Sequence, residues 1–202
     1  MKKMSVLHRL LLSITGLLAA YQIVAGMKAY NGPVTFYYTI AFDVLLMSCV
    51  LLILFDFEIL DNPMVVVIAT LLPLSLFLGL ISRHRPDFHT ICLIFSLAGL
   101  LLILGTRYYF AGKIATIVLA IVHGVSGMVI FILPISISIQ GTAPPLFSFV
   151  GIGGALIGVG GLLLAFLKMG KPILSKELIF SVFPSLLLLM TLAFVIGMSV
   201  EA

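Results

Sequence analysis

The stretch KIATIVLAIVHGVSGMVIFILPISIS, from Lys113 to Ser138, decides the fold class of this chain. It is longer than the ~20 residues with which an α-helix crosses the ~30 Å apolar core of a bilayer. After Lys113 it carries one ionisable side chain, His123, and that residue lies in its interior. The stretch therefore predicts a transmembrane helix.

The polar character of this helix is confined to one face. Thr116, Ala120, His123 and Gly127 are spaced four, three and four residues apart, which places them on one side of a helix. An ionisable residue within the apolar core normally faces protein or a cavity rather than lipid. We therefore expect this helix to lie inside a bundle, with the His123 face turned toward its neighbours.

The whole chain shares this apolar composition. Of its 202 residues, 62% are hydrophobic and 9% are charged, whereas about a quarter of residues are charged in soluble domains. The fold predicted is all-α, a polytopic transmembrane helix bundle that forms a single integral membrane domain over residues 1–202 and contacts the lipid bilayer. The net charge of +4 does not indicate nucleic acid, because the basic residues are dispersed at the ends of apolar segments.

Seven apolar segments are separated by short breaks rich in Gly, Pro, Asn and Asp. The predicted spans are Leu7–Met27, Val34–Leu60, Pro63–Ser82, Phe88–Phe110, Ile114–Ser138, Pro145–Lys168 and Leu178–Val200. Six spans are the alternative, because the break at Asp61-Asn62-Pro63 leaves almost no loop and one flanking segment could be re-entrant or interfacial.

The basic residues predict the orientation of the chain. With seven spans, Lys28, Arg83 and Arg85 fall on one side and eight of the 11 basic residues fall on the other. Those eight are Lys2, Lys3, Arg9, Arg107, Lys113, Lys168, Lys171 and Lys176. Because cytoplasmic loops are enriched in Lys and Arg, the N-terminus is predicted to be cytoplasmic and the C-terminus external.

Asp43 and His123 form the first candidate site. Each lies about ten residues into its span, which places both near the middle of the bilayer. Thr35 and Thr39 precede Asp43 at helical spacing and extend a polar stripe toward the external surface. The site is either a proton or ligand site that uses Asp43 and His123 together or a set of interhelical hydrogen bonds that holds the bundle.

The four histidines do not suggest a metal site. His8, His84 and His89 lie near the membrane surfaces, so His123 is alone at its depth and no metal ligand set is predicted. A single axial ligation of a macrocycle by His123 remains open, beside the alternative of a hydrogen-bonded structural histidine.

The external loop between the third and fourth spans is the second candidate site. Arg83, His84, Arg85 and His89 concentrate cationic and hydrogen-bonding groups there. Such groups suit a phosphate, a quinone carbonyl or the acidic surface of a partner. The alternative is a solvated turn whose side chains anchor to lipid headgroups.

The sixth span carries a stripe of glycines. Gly151, Gly154, Gly158 and Gly161 are spaced three, four and three residues apart and share one face. Glycines at this spacing let another helix backbone approach closely. The stripe therefore predicts a helix contact. Gly153 and Gly160 widen this surface, so that the helix either packs on two sides or accepts a flat lipid, pigment or quinone.

Two functions follow from these features. No nucleophile is paired with a base in a known catalytic pattern, so a non-catalytic role is favoured over an enzyme. The first function is a subunit or scaffold of a larger membrane complex, packed against other membrane subunits or copies of itself and holding lipid, quinone or pigment. The alternative is a small proton-coupled transporter that uses Asp43 and His123.

Overall fold

The computed structural model describes residues 4–109, 113–168 and 173–200. In these ranges the chain forms seven helices that are long and apolar enough to span a membrane, and no strand, which confirms the predicted all-α bundle. They are α1 (Val6–Val24), α2 (Pro33–Phe55), α3 (Pro63–His84), α4 (His89–Tyr109), α5 (Lys113–Ile139), α6 (Ser148–Lys168) and α7 (Lys176–Ser199). The six-span alternative is wrong.

The starts of several helices follow from local chemistry. Pro33 and Pro63 occupy the first turns of α2 and α3, where a missing N–H costs nothing because it would have no helical partner. Ser5, Asn62 and Ser175 each precede a helix and accept a hydrogen bond from one of its first N–H groups. These caps satisfy donors that the first turn leaves unpaired.

The connection between α2 and α3 is an ordered turn. The second span was predicted as one segment to Leu60, but α2 ends at Phe55 because Asp56 adopts a φ of 54°. A short 3-10 helix, Asp56–Asp61, then leads into α3. Asp56 also pairs with Arg9 at 2.8 Å, which ties α1 to this turn.

Six of the described helices form a ring in the order α1, α2, α3, α5, α6 and α7, closed by the contact of α7 with α1. The remaining helix, α4, packs on α3 and α5. Phe42 of α2 and Phe194 of α7 meet inside the ring, with centroids 6.5 Å apart. The core is therefore aromatic and aliphatic, as the composition requires.

Alternation of the helices defines two sides of the bundle. α1 and α5 begin on the predicted cytoplasmic side, and α6 begins on the predicted external side. Which side is cytoplasmic stays a prediction. That prediction partly depends on three lysines outside the described residues, Lys2, Lys3 and Lys171. Phe110, at the predicted end of the fourth span, also lies outside them.

Candidate functional site: a cavity between α5 and α6

The half of the α5–α6 pair on the predicted external side, which we call the external half, is a tight helix contact. A Cβ atom added at Gly151 would lie 2.6 Å from the carbonyl oxygen of Phe131. One added at Gly154 would lie 2.6 Å from Cγ2 of Ile130 and 3.0 Å from the backbone carbonyl carbon of that residue. Only glycine permits this approach, so the glycine stripe packs against α5 at these two positions.

The half of the same pair on the predicted cytoplasmic side, which we call the cytoplasmic half, is open. Among the described residues, no atom of a neighbouring element lies within 4 Å of a Cβ added at Gly158 or Gly161 on α6, or at Gly124 or Gly127 on α5. The helix contact predicted for the stripe therefore includes Gly151 and Gly154 but does not extend to Gly158 and Gly161. The two helices separate toward the cytoplasmic side.

The space between them is a cavity of about 420 Å³, lined mainly by α3, α5 and α6. Small-molecule sites have volumes of ~300–1,000 Å³. The predicted face of Thr116, Ala120, His123 and Gly127 lies on its wall, together with Gly154, Gly158 and Gly161. Met128 and Leu162 also line it and are each 55% exposed, so the cavity opens sideways where lipid surrounds the bundle.

Two nitrogen-bearing side chains interrupt this apolar wall. His123 projects from the middle of α5, and Arg107 projects from the last turn of α4. His123 Nδ1 and Arg107 Nε are both buried and have no hydrogen-bond partner among the described residues. The backbone of Leu119, one turn earlier on α5, also interacts with the His123 ring. The cavity thus combines an apolar slot with unsatisfied polar atoms.

Asp43 does not join this site. Its side chain is exposed on the outer surface of α2 and is not among the residues that line the cavity. Within the described part of the chain it makes no hydrogen bond or ion pair with His123 or with any other residue. Thr35 and Thr39 are partly buried on α2, on its external half. The structure therefore does not bring the predicted pair together, and no single site holds both groups.

The loop between α3 and α4, which is predicted to be external, does not direct its two histidines to a common point, and binding at this loop stays a prediction. His89 Nε2 lies 3.0 Å from the hydroxyl oxygen of Tyr37 on α2, whereas the His84 ring lies 5.1 Å from that of Phe147, before α6. Arg83 and Arg85 are exposed. The two histidines are thus directed toward different helices, and both stabilise the ends of the bundle.

Sequence reasoning treated Arg107 only as an orientation signal. It expected room for a flat ligand at the glycine stripe, but it did not predict that α5 and α6 separate beside His123. The available signal was the presence of glycines on both facing helices, Gly124 and Gly127 beside His123 and Gly158 and Gly161 opposite them. No group of three or more metal-ligating side chains comes together in the described residues.

The fold defines the class of this protein as a multi-pass helical membrane protein, and the described residues enclose an apolar cavity that opens at the side of the bundle. Comparisons with models of protein families, with curated proteins and with solved structures return no match to this chain. Its function must therefore be argued from the geometry of the cavity.

Proposed function

We propose that this protein holds an amphipathic ligand of the lipid or quinone class in the cavity between α5 and α6, as a non-catalytic subunit or scaffold of a larger membrane complex. The unsatisfied nitrogens of Arg107 and His123 on an apolar wall carry this proposal. A buried donor without a partner costs ~1–3 kcal/mol. A ligand oxygen that accepts from Arg107 offsets this cost.

The shape of the cavity sets the orientation of the ligand. Its wall on α5 runs from Thr116 to Phe131, which corresponds to ~22 Å along the helix. Arg107 lies at the end nearer the predicted cytoplasmic surface, and the glycines extend toward the middle of the bilayer. The headgroup therefore lies at Arg107, and the apolar chain lies along Gly127 and Gly158.

The chemistry of Arg107 restricts which kinds of headgroup the cavity can bind. A guanidinium group is always charged and offers donors but no acceptor. It therefore binds a phosphate, a carboxylate or a carbonyl oxygen. The lateral opening beside Met128 and Leu162 lets such a molecule enter from the surrounding leaflet.

Native mass spectrometry of the full chain, released from mild detergent, tests the proposal. Phosphatidylglycerol, phosphatidylcholine and a long-chain ubiquinone are added separately as probes. At least one should form a one-to-one adduct. Arg107→Gln should weaken that adduct roughly tenfold or more, because a hydrogen bond to a charged group contributes ~1.5–3 kcal/mol.

Arg85→Gln is the matched control, because Arg85 is an exposed arginine in the external loop. Its adduct should equal that of the unmodified chain. Binding of none of the three probes, or an equal loss in both variants, would contradict the proposal.

A further inference from the structure

Asp43 lies near the middle of a predicted membrane span, where no water would solvate its carboxylate. It is ten residues after Pro33 and 12 before Phe55, the two ends of α2, or ~15 and ~18 Å from them. Its side chain is exposed on the surface of the bundle and makes no polar contact with the described residues. Lipid tails would therefore surround this carboxylate if the bundle were alone in the membrane.

The Asp43 side chain is too short to place its carboxylate in water. Lysine and arginine reach the membrane surface with long flexible stems, whereas aspartate has a single methylene group. Charged residues in the apolar core are expensive and normally pair with another group. Asp43 therefore requires a partner that comes to it at the same depth.

The residues around Asp43 form a seam suited to one more helix. Phe36, Asp43, Met47, Val50 and Leu54 are spaced seven, four, three and four residues apart, and all five are exposed. This spacing keeps them on one narrow face of α2 and is typical of residues that contact a neighbouring helix along a seam. We call these five residues the Asp43 face.

We infer that the Asp43 face docks a transmembrane helix of a different chain that carries Lys, Arg or His at the depth of Asp43. A second copy of this chain does not supply that group from the described residues. His123 is the basic residue at mid-depth and lines the cavity, while the other described basic residues lie at helix ends. The inference rests on the proposed role as a complex subunit and is independent of the cavity ligand.

Photo-crosslinking in native membranes tests this inference. A photoreactive amino acid replaces Met47 on the Asp43 face, and in a matched control it replaces Leu101, an exposed residue of α4. The crosslinked peptides are identified by mass spectrometry. The Met47 position should yield a hydrophobic peptide of another chain with a basic residue near its centre.

Asp43→Asn should reduce this adduct roughly tenfold, because truncation of one member of a desolvated charge pair weakens association strongly. An adduct with a second copy of this chain, or one that Asp43→Asn leaves unchanged, would overturn the inference. Protein adducts from Leu101 alone would also overturn it while leaving the subunit role intact. Lipid adducts alone from both positions would overturn this inference and the subunit role, but not ligand binding in the cavity.

Discussion

The two halves of the α5–α6 pair use the same residue for opposite purposes. In the external half, Gly151 and Gly154 admit the backbone of α5. In the cytoplasmic half, Gly158 and Gly161 face the cavity. A glycine stripe therefore leaves space at the surface of a helix. The path of the neighbouring helix determines whether that helix or a ligand fills the space.

The largest effect is expected from Gly154→Leu. Even the first added carbon would collide with Ile130, including its backbone, and the rest of the leucine requires α5 to move. Overpacking of this kind typically costs ~1–3 kcal/mol, occasionally more, and we expect a value near the upper end. Thermal unfolding in detergent should show a clear fall in Tm. An unchanged Tm would mean that the external half is not tightly packed.

Gly158→Leu should leave the Tm of the ligand-free protein unchanged, because no neighbouring atom lies within 4 Å of its first added carbon. It should instead abolish ligand-induced stabilisation, which amounts to ~2.7 kcal/mol for a ligand at 100 times its Kd. Gly105→Leu is the matched control, since Gly105 also has open space around it but lies outside the cavity wall. If both variants retain the ligand shift, the cavity is not the binding site.

The sequence predicts the membrane spans and the face of His123, but not the path of α5 relative to α6. The spans follow from segments long and apolar enough to cross the bilayer, and the face of His123 follows from residue spacing alone. The separation of α5 and α6 does not follow from the sequence, because nothing in the sequence distinguishes Gly154, which contacts α5, from Gly158, which faces the cavity. The outward direction of Asp43 was also missed. Large apolar residues occur all around α2, and the stripe of Thr35, Thr39 and Asp43 does not distinguish a face toward the bundle from a face toward lipid.

His123→Phe should weaken ligand binding in the cytoplasmic half by a smaller amount. Phenylalanine keeps a ring on the cavity wall but removes both nitrogens, so a ligand loses at most one hydrogen bond of ~1 kcal/mol, or about fivefold in Kd. Titration of the bound probe followed by thermal shift measures this change. An unchanged Kd would assign headgroup binding to Arg107 alone.

Asp56→Asn should change Tm least of these variants. Asp56 lies outside both halves of the α5–α6 pair, so the variant is a reference for the others. The Arg9–Asp56 pair is partly exposed, with side chains that are 40% and 29% accessible. Solvent screens such pairs, so their contribution is ~0–1 kcal/mol. Tm should fall slightly and ligand binding should not change. A loss of ligand binding in this variant would show that the cavity depends on the α1–α2 side of the ring.

Site-resolved labelling with a photoactivatable lipid tests the central claim most directly. The probe that forms the one-to-one adduct, now carrying a diazirine in its acyl or isoprenoid chain, is bound to the purified full chain and irradiated, and its attachment sites are located by peptide mass spectrometry. We predict saturable adducts on the cytoplasmic halves of α5 and α6, around Gly127 and Gly158, that excess unlabelled lipid removes. Labelling that is spread evenly over exposed helix surfaces, or that unlabelled lipid fails to compete, would contradict the account.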